Sequence, residues 1–102
     1  RSENRSSADG RIYEVMETTR FRKDVKMMRK RGADIALLDG VIDMLSRGVK
    51  LPPSFKDHPL NGEMSGNREC HIRPDWLFVY RIEDERLVLL AVRTGTHSDI
   101  FD

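Results

Sequence analysis

All three histidines of this 102-residue chain, and its single tryptophan, fall after residue 55. They stand in three short blocks: Phe55-Lys56-Asp57-His58-Pro59-Leu60, Cys70-His71-Ile72-Arg73-Pro74-Asp75-Trp76, and Arg93-Thr94-Gly95-Thr96-His97, with Phe101 just beyond. Histidine exchanges protons near neutral pH because its unperturbed pKa is about 6.5. Gathering every copy beside an aspartate and several arginines points to acid–base chemistry on an anionic substrate. Strand alternation puts His71 and Arg73 on one face and Cys70 and Ile72 on the other. Pro74 then turns the chain and brings Asp75 out at the strand end, where its carboxylate can orient an imidazole.

Each feature also has a plain structural reading. His71 and Asp75 fit two ordinary surface residues, and His58 fits a turn histidine bonded to nearby backbone. Arg93 offers a planar two-pronged donor suited to phosphate, and equally fits a strand-end arginine paired with a carboxylate. Trp76 and Phe101 read as core residues or as platforms for bases. Three histidines can form a zinc site, but spacings of 13 and 26 residues match no compact ligand motif. No metal or other cofactor is expected.

Periodicity predicts the elements that must position these blocks. Residues 11–18, with Ile12, Tyr13 and Val15, suggest a first strand. Thr18 or Thr19 caps a helix to about Arg31, with Phe21, Val25 and Met28 at helical spacing and Gly32 at its end. Asp34 opens a second helix to about Arg47, striped by Ile35, Leu38, Ile42 and Leu45 and stopped by Gly48. Residues 50–66 hold three of the four prolines and read as a long loop. Strands follow at 67–73, 76–82 and 86–93, the last two joined by a turn at Glu83-Asp84-Glu85. Leu87, Leu89 and Ala91 on one face of the last strand, with Val88, Leu90 and Val92 on the other, suggest a strand covered on both sides. The expected fold is an α+β single domain, β-α-α-β-β-β, with two N-terminal helices packed on one antiparallel sheet.

Composition narrows the class. Charged residues make up 34% of the chain and net charge is only +1, so distribution matters more than the sum. Residues 11–31 carry eight Lys or Arg against three acids. Lys23, Lys26, Arg29, Lys30 and Arg31 thus suggest a basic face for phosphates or an acidic protein, or else a solvated helix face. The single Cys70 excludes an internal disulfide and fits a reducing cytosol. No apolar run approaches the ~18 residues of a membrane span, so a cytoplasmic location and no membrane partner are expected. Residues 1–10 contain no Val, Ile, Leu or aromatic residue and read as a disordered or tag-derived lead-in, with the domain at 11–102.

In order and spacing, these blocks resemble the YafQ-type toxins of the RelE/ParE superfamily, components of type II toxin–antitoxin systems. The resemblance rests on Phe55 to Gly62, His71 to Trp76, a strand containing Tyr80, Arg93 to His97 followed by Phe101, and Phe21-x-Lys23-Asp24-Val25-Lys26. It implies a RelE-like fold and an endoribonuclease that cuts mRNA in the ribosomal A site and is neutralised by a cognate antitoxin. It further implies a catalytic set of His58, His71, Asp75 and His97, with Arg93, Trp76 and Phe101 holding phosphate or bases. RNA supplies its own nucleophile, the 2′-OH, so one group must take its proton and another must protonate the leaving 5′-oxygen. His71 with Asp75 fits the base and His97 the acid, or the reverse, with His58 and Arg93 supporting the phosphate. Residues 63–67 lack the aromatic and basic residues that the family often carries there. A ParE-like gyrase poison and a non-catalytic RNA-binding module remain the alternatives, the first disfavoured by the presence of His71, Asp75 and His97.

Overall fold

The computed structural model describes residues 10–102, so the lead-in expected at 1–10 lies outside the described residues except for Gly10. Strand β1 (Glu14–Glu17) is shorter than the expected 11–18. The reason is local: the N–H groups of Ile12 and Tyr13 both donate to the Ser46 carbonyl, at 2.8 and 3.0 Å, instead of joining a ladder. Helix α1 (Thr19–Lys30) starts where the Thr18 hydroxyl accepts the Phe21 N–H at 2.9 Å. Helix α2 (Ile35–Ser46) starts at Asp34, whose carboxylate accepts the Ala36 N–H at 3.2 Å. Gly32, with φ 89°, takes the left-handed position after α1 that a side chain would strain.

The rest of the chain forms β2 (His58–Pro59), β3 (Arg68–Arg73), β4 (Trp76–Glu83), β5 (Val88–Gly95) and a short helix α3 (His97–Phe101). The five strands make one sheet in the order β1-β5-β4-β3-β2. Four details depart from the sequence reading. The long loop contains β2, which pairs with β3, and α3 follows β5 directly. The sheet is mixed rather than antiparallel, because β1 pairs with β5 in parallel. β2 runs opposite to β1, and three further reversals from β2 to β5 bring β5 back to the direction of β1. Leu87 is an exposed turn residue at φ 52° rather than a strand residue, so β5 begins at Val88.

The core lies between the helices and one sheet face. Trp76, Phe78 and Tyr80 alternate along β4 onto that face and pack with Phe21, Leu38, Val41 and Leu89. Phe78 meets Phe21 edge-on at 5.8 Å and stacks on Tyr80 at 5.3 Å, geometries that add to simple area burial. Leu77 and Val79 on the other face are also buried. Cys70 is fully buried in the core, and burial pushes its thiol up to about 12, which makes it chemically silent. Among the described residues, no helix is long and apolar enough to cross a membrane.

Among the described residues, two charged ones sit inside this frame, Asp24 and Glu69, and the first braces α1 to the sheet. Asp24 of α1 is 8% exposed and accepts from Arg93 Nε at 2.7 Å, Arg93 Nη2 at 3.3 Å and the Thr94 N–H at 3.1 Å. Removing one partner of a buried pair strands the other charge and costs about 3–5 kcal/mol, whereas replacing both with apolar groups is often neutral. Asp24→Ala is therefore expected to lower unfolding free energy by about that amount, and the double variant Asp24→Leu/Arg93→Met to recover more than half of it. Denaturant unfolding of the two variants checks both parts.

Candidate active site

Register places the first two histidines. His58 in β2 stands directly opposite Glu69 in β3, and Glu69 lies two residues before His71 on the same strand. All three therefore share one sheet face. The Glu69 carboxylate is nearly buried and faces both rings, with Oε2 at 3.8 Å from His58 Nε2 and 3.7 Å from His71 Nε2. One carboxylate oxygen thus stands within 4 Å of a ring nitrogen of each histidine.

The backbone fixes His58 from its other side. Its Nδ1 lies 2.6 Å from the Lys56 carbonyl, so Nδ1 carries the hydrogen and donates, and Nε2 is the atom turned toward Glu69. Asp57, between them, accepts from Tyr80 Oη at 2.7 Å and Arg68 Nε at 3.2 Å. These bonds tie the loop to β3 and β4 one residue before His58. Burial and the neighbouring Asp57 push the Tyr80 phenol well above its ordinary range, so it stays a donor at any physiological pH.

The third histidine comes from the far side of β4. His71 is opposite Leu77, and Leu77 is opposite Gly95 at the end of β5. Two strand spacings separate His71 from Gly95, roughly 10 Å, and His97 opens α3 two residues later. The backbone N–H of His97 donates to Asp75 Oδ1 at 3.1 Å, which links the β3–β4 turn to the start of α3. The His97 ring lies 5.0 Å from the Phe101 ring, one helical turn on, and both side chains are exposed.

Helix α3 buries no residue, so polar bonds hold it. Asp99 accepts two bonds from Arg31, at 2.7 and 3.2 Å, and one from the Thr96 N–H at 2.9 Å. The Asp99 carbonyl accepts from Arg93 Nη2 at 3.2 Å. A Cβ on Gly95 would come within 2.9 Å of the Asp99 carboxylate, so glycine is what lets the helix fold back this closely. The Arg31 guanidinium holds the Asp99 carboxyl far below the usual carboxylate range. With that sign the contact is complete above the ordinary carboxylate pKa and is lost only as pH falls through the depressed value.

The expected site residues thus divide. His58 and His71 are brought together around one carboxylate, with His97, Asp75 and Phe101 across the same end of the sheet. Asp75 partners the His97 backbone, and the carboxylate facing His71 is Glu69 instead. Arg93 is spent on Asp24 and Asp99, and Trp76 is 4% exposed with its indole N–H donated to Thr94 Oγ1 at 2.9 Å. Both belong to the frame under the site. Lys23, Lys26, Arg29 and Lys30 are exposed along α1, whereas Arg31 is committed to Asp99. Sequence reasoning missed Glu69, for which strand alternation from His71 was the available signal, and Asp99, whose signal was the capping-box spacing Thr96-x-x-Asp99.

The model of the YafQ family, bacterial toxins of type II toxin–antitoxin systems, matches residues 13–102. The chain belongs to this family. The mRNA interferase toxin YafQ of Escherichia coli K12 is 39% identical over 82 residues, 79% of this chain and 87% of that protein. The crystal structure of YafQ from E. coli BL21(DE3) superposes with a TM-score of 0.83 at 34% identity, covering 88% of this chain and 99% of that one. YafQ in the E. coli DinJ–YafQ toxin–antitoxin complex superposes at 0.81 and 35% identity, covering 89% and 99%. The α+β architecture read from the sequence is therefore that of the YafQ toxins.

Glu69→Gln keeps the shape of the shared partner and removes its charge. If the counter-ion is worth about 1.4 kcal/mol to the transition state, RNA cleavage falls about tenfold. Single-turnover cleavage, read beside a melting temperature that moves little, checks this.

Proposed function

We propose that this YafQ-family toxin is an mRNA endonuclease that acts in the ribosomal A site, by acid–base catalysis through the RNA 2′-OH and with no metal. The observation that carries the reading is the convergence of the three histidine blocks on one end of the sheet. His58 and His71 share Glu69 there, and His97 stands across β4 from them. A base and an acid on opposite sides of a gap are what in-line transfer at phosphorus requires.

In this mechanism His71 accepts the 2′-OH proton, and Glu69 balances the imidazolium that forms. The 2′-oxygen bonds to phosphorus as the bond to the 5′-oxygen breaks, and His97 gives that oxygen its proton. The products are a 2′,3′-cyclic phosphate and a 5′-hydroxyl. His58, aimed by the Lys56 carbonyl, supports the phosphate as charge builds on its oxygens. Asp75 holds the His97 backbone, Phe101 offers an exposed ring for a base, and Arg93 and Trp76 act by bracing the frame. The site faces a cytoplasmic target, and the complex of the E. coli relative with its antitoxin supports a cognate antitoxin here.

Three outcomes test this. His97→Ala should cut cleavage on programmed ribosomes by roughly 10²–10⁴-fold while leaving the melting temperature and antitoxin binding unchanged. Near-normal cleavage removes His97 from the mechanism, and DNA damage in place of codon-phased mRNA cuts means a gyrase poison. Purified active protein carrying stoichiometric zinc would contradict the metal-free scheme. Separately, Lys23, Lys26 and Lys30 changed together to Glu should weaken ribosome association in a salt-dependent way, measured by co-sedimentation across a salt series.

A further inference from the structure

The 3₁₀ turn Pro53–Phe55 and the Lys56 that follows lie along the end of β3. They leave a groove of about 300 Å³ whose walls include Phe55, Lys56, His71, Ile72 and Arg73. Its chemistry is unlike that of three other grooves on the surface. The cleft between α1 and α3 contains Asp24 and Asp99, the one beneath Lys50 contains Asp57, and the one beside β1 contains Glu14. The groove beside His71 has two cations and no carboxylate in its lining. Lys56 and Arg73 are exposed, and neither forms an ion pair among the described residues. Phe55 and Ile72 pack on the core yet stay half-exposed toward the groove.

Two uncompensated cations above an aromatic and aliphatic wall fit a ligand that is anionic at one end and flat and apolar at the other. A nucleotide has that form, since every base has a face that stacks on an aromatic ring while its phosphate pairs with Lys or Arg. The volume, about 300 Å³, lies at the small end of the range for ligand sites, which suits one nucleotide rather than a longer segment. We propose that this groove is an RNA subsite holding the nucleotide on the 2′-OH side of the scissile phosphate, stacked against Phe55 and paired with Lys56 and Arg73. His71 decides the side: it forms the groove wall and, in the mechanism above, takes the 2′-OH proton.

Lys56 gives the subsite a link to the chemistry. It is a non-glycine residue in the left-handed region, φ 52°, held there by its N–H on the Pro53 carbonyl at 3.0 Å. Such a conformation persists only where its surroundings hold it. Its carbonyl accepts from His58 Nδ1 at 2.6 Å, so the residue that pairs with RNA through its side chain aims a site histidine through its backbone.

The inference rests on the endonuclease reading, and the experiment separates the two. The probe is a short RNA with a single 2′-deoxy substitution at the scissile position, which binds but cannot be cut. Titrated into free toxin, it should shift the NMR signals of Phe55 and Ile72. Arg73→Gln should weaken its binding about tenfold and reduce the slope of log Kd against log salt by about one contact, roughly 0.7. Arg73→Lys should restore most of the affinity. Arg86→Gln, which removes the same charge at the opposite end of β4, should leave binding alone. On programmed ribosomes the Arg73→Gln loss should appear mainly in KM, with kcat within about twofold. Wild-type cleavage with no groove shifts and no Arg73 effect overturns the subsite alone. Equal losses from Arg86→Gln and Arg73→Gln also overturn it, since general charge is then responsible. If the wild type cleaves no RNA, the endonuclease reading fails while the titration still decides the groove.

Discussion

The Asp24 carboxylate is the contact on which the arrangement around the site depends. It accepts the Arg93 side chain and the Thr94 backbone together, in a place almost closed to water. Thr94 in turn accepts the Trp76 indole N–H and donates its hydroxyl to the Leu77 carbonyl at 2.7 Å. Arg93 reaches on to the Asp99 carbonyl, and Asp99 to Arg31. Thr94 thus reaches β4 through neutral bonds, while the links from α1 through Arg93 and on to α3 are charge-assisted bonds. Such bonds are stronger than neutral ones and fix direction as well as distance. Apolar packing alone could hold the helices on the sheet, but it could not set where a short, unburied helix such as α3 begins.

The site combines a buried half and an exposed half. On the β2–β3 side, Glu69 is enclosed and Asp57 is held by Tyr80 and Arg68, so His58 and His71 sit on a rigid base. On the β5 side, His97 and Phe101 project from a helix held only by polar contacts. One wall is thus braced by carboxylates, and the other presents side chains to solvent. Precise sites are usually built in this way, with supporting bonds locking the groups that touch the substrate.

Much of the frame was legible in the sequence because it obeys local rules. Thr18 and Asp34 cap helices, Gly32 and Gly48 follow their ends, and Trp76, Phe78 and Tyr80 alternate into the core. The three histidine blocks were visible for the same reason, as residue types at short spacing. What escaped depends on contacts between distant segments. β2 is two residues long and exists only through its pairing with β3. The parallel partnership of β1 with β5 follows from the count of reversals between them. The commitment of Arg93 to Asp24 joins positions 69 residues apart, so no window on the sequence can separate a phosphate-binding arginine from a bracing one. Glu69 lies between these cases: it was missed, although alternation from His71 was enough to put it on the same face, and its burial and its second histidine needed the sheet.

The same separation has a consequence in time. Asp24 has no partner until Arg93 and Thr94 have been made, and β1 cannot complete its edge of the sheet before β5 exists. Contacts between distant segments form late, because the intervening chain must first lose its freedom. A growing chain therefore carries His58 and His71 well before it has a third histidine or a brace to hold one. The three histidines therefore come to stand at one end of the sheet only at a late moment, when the last strand closes and α3 follows it.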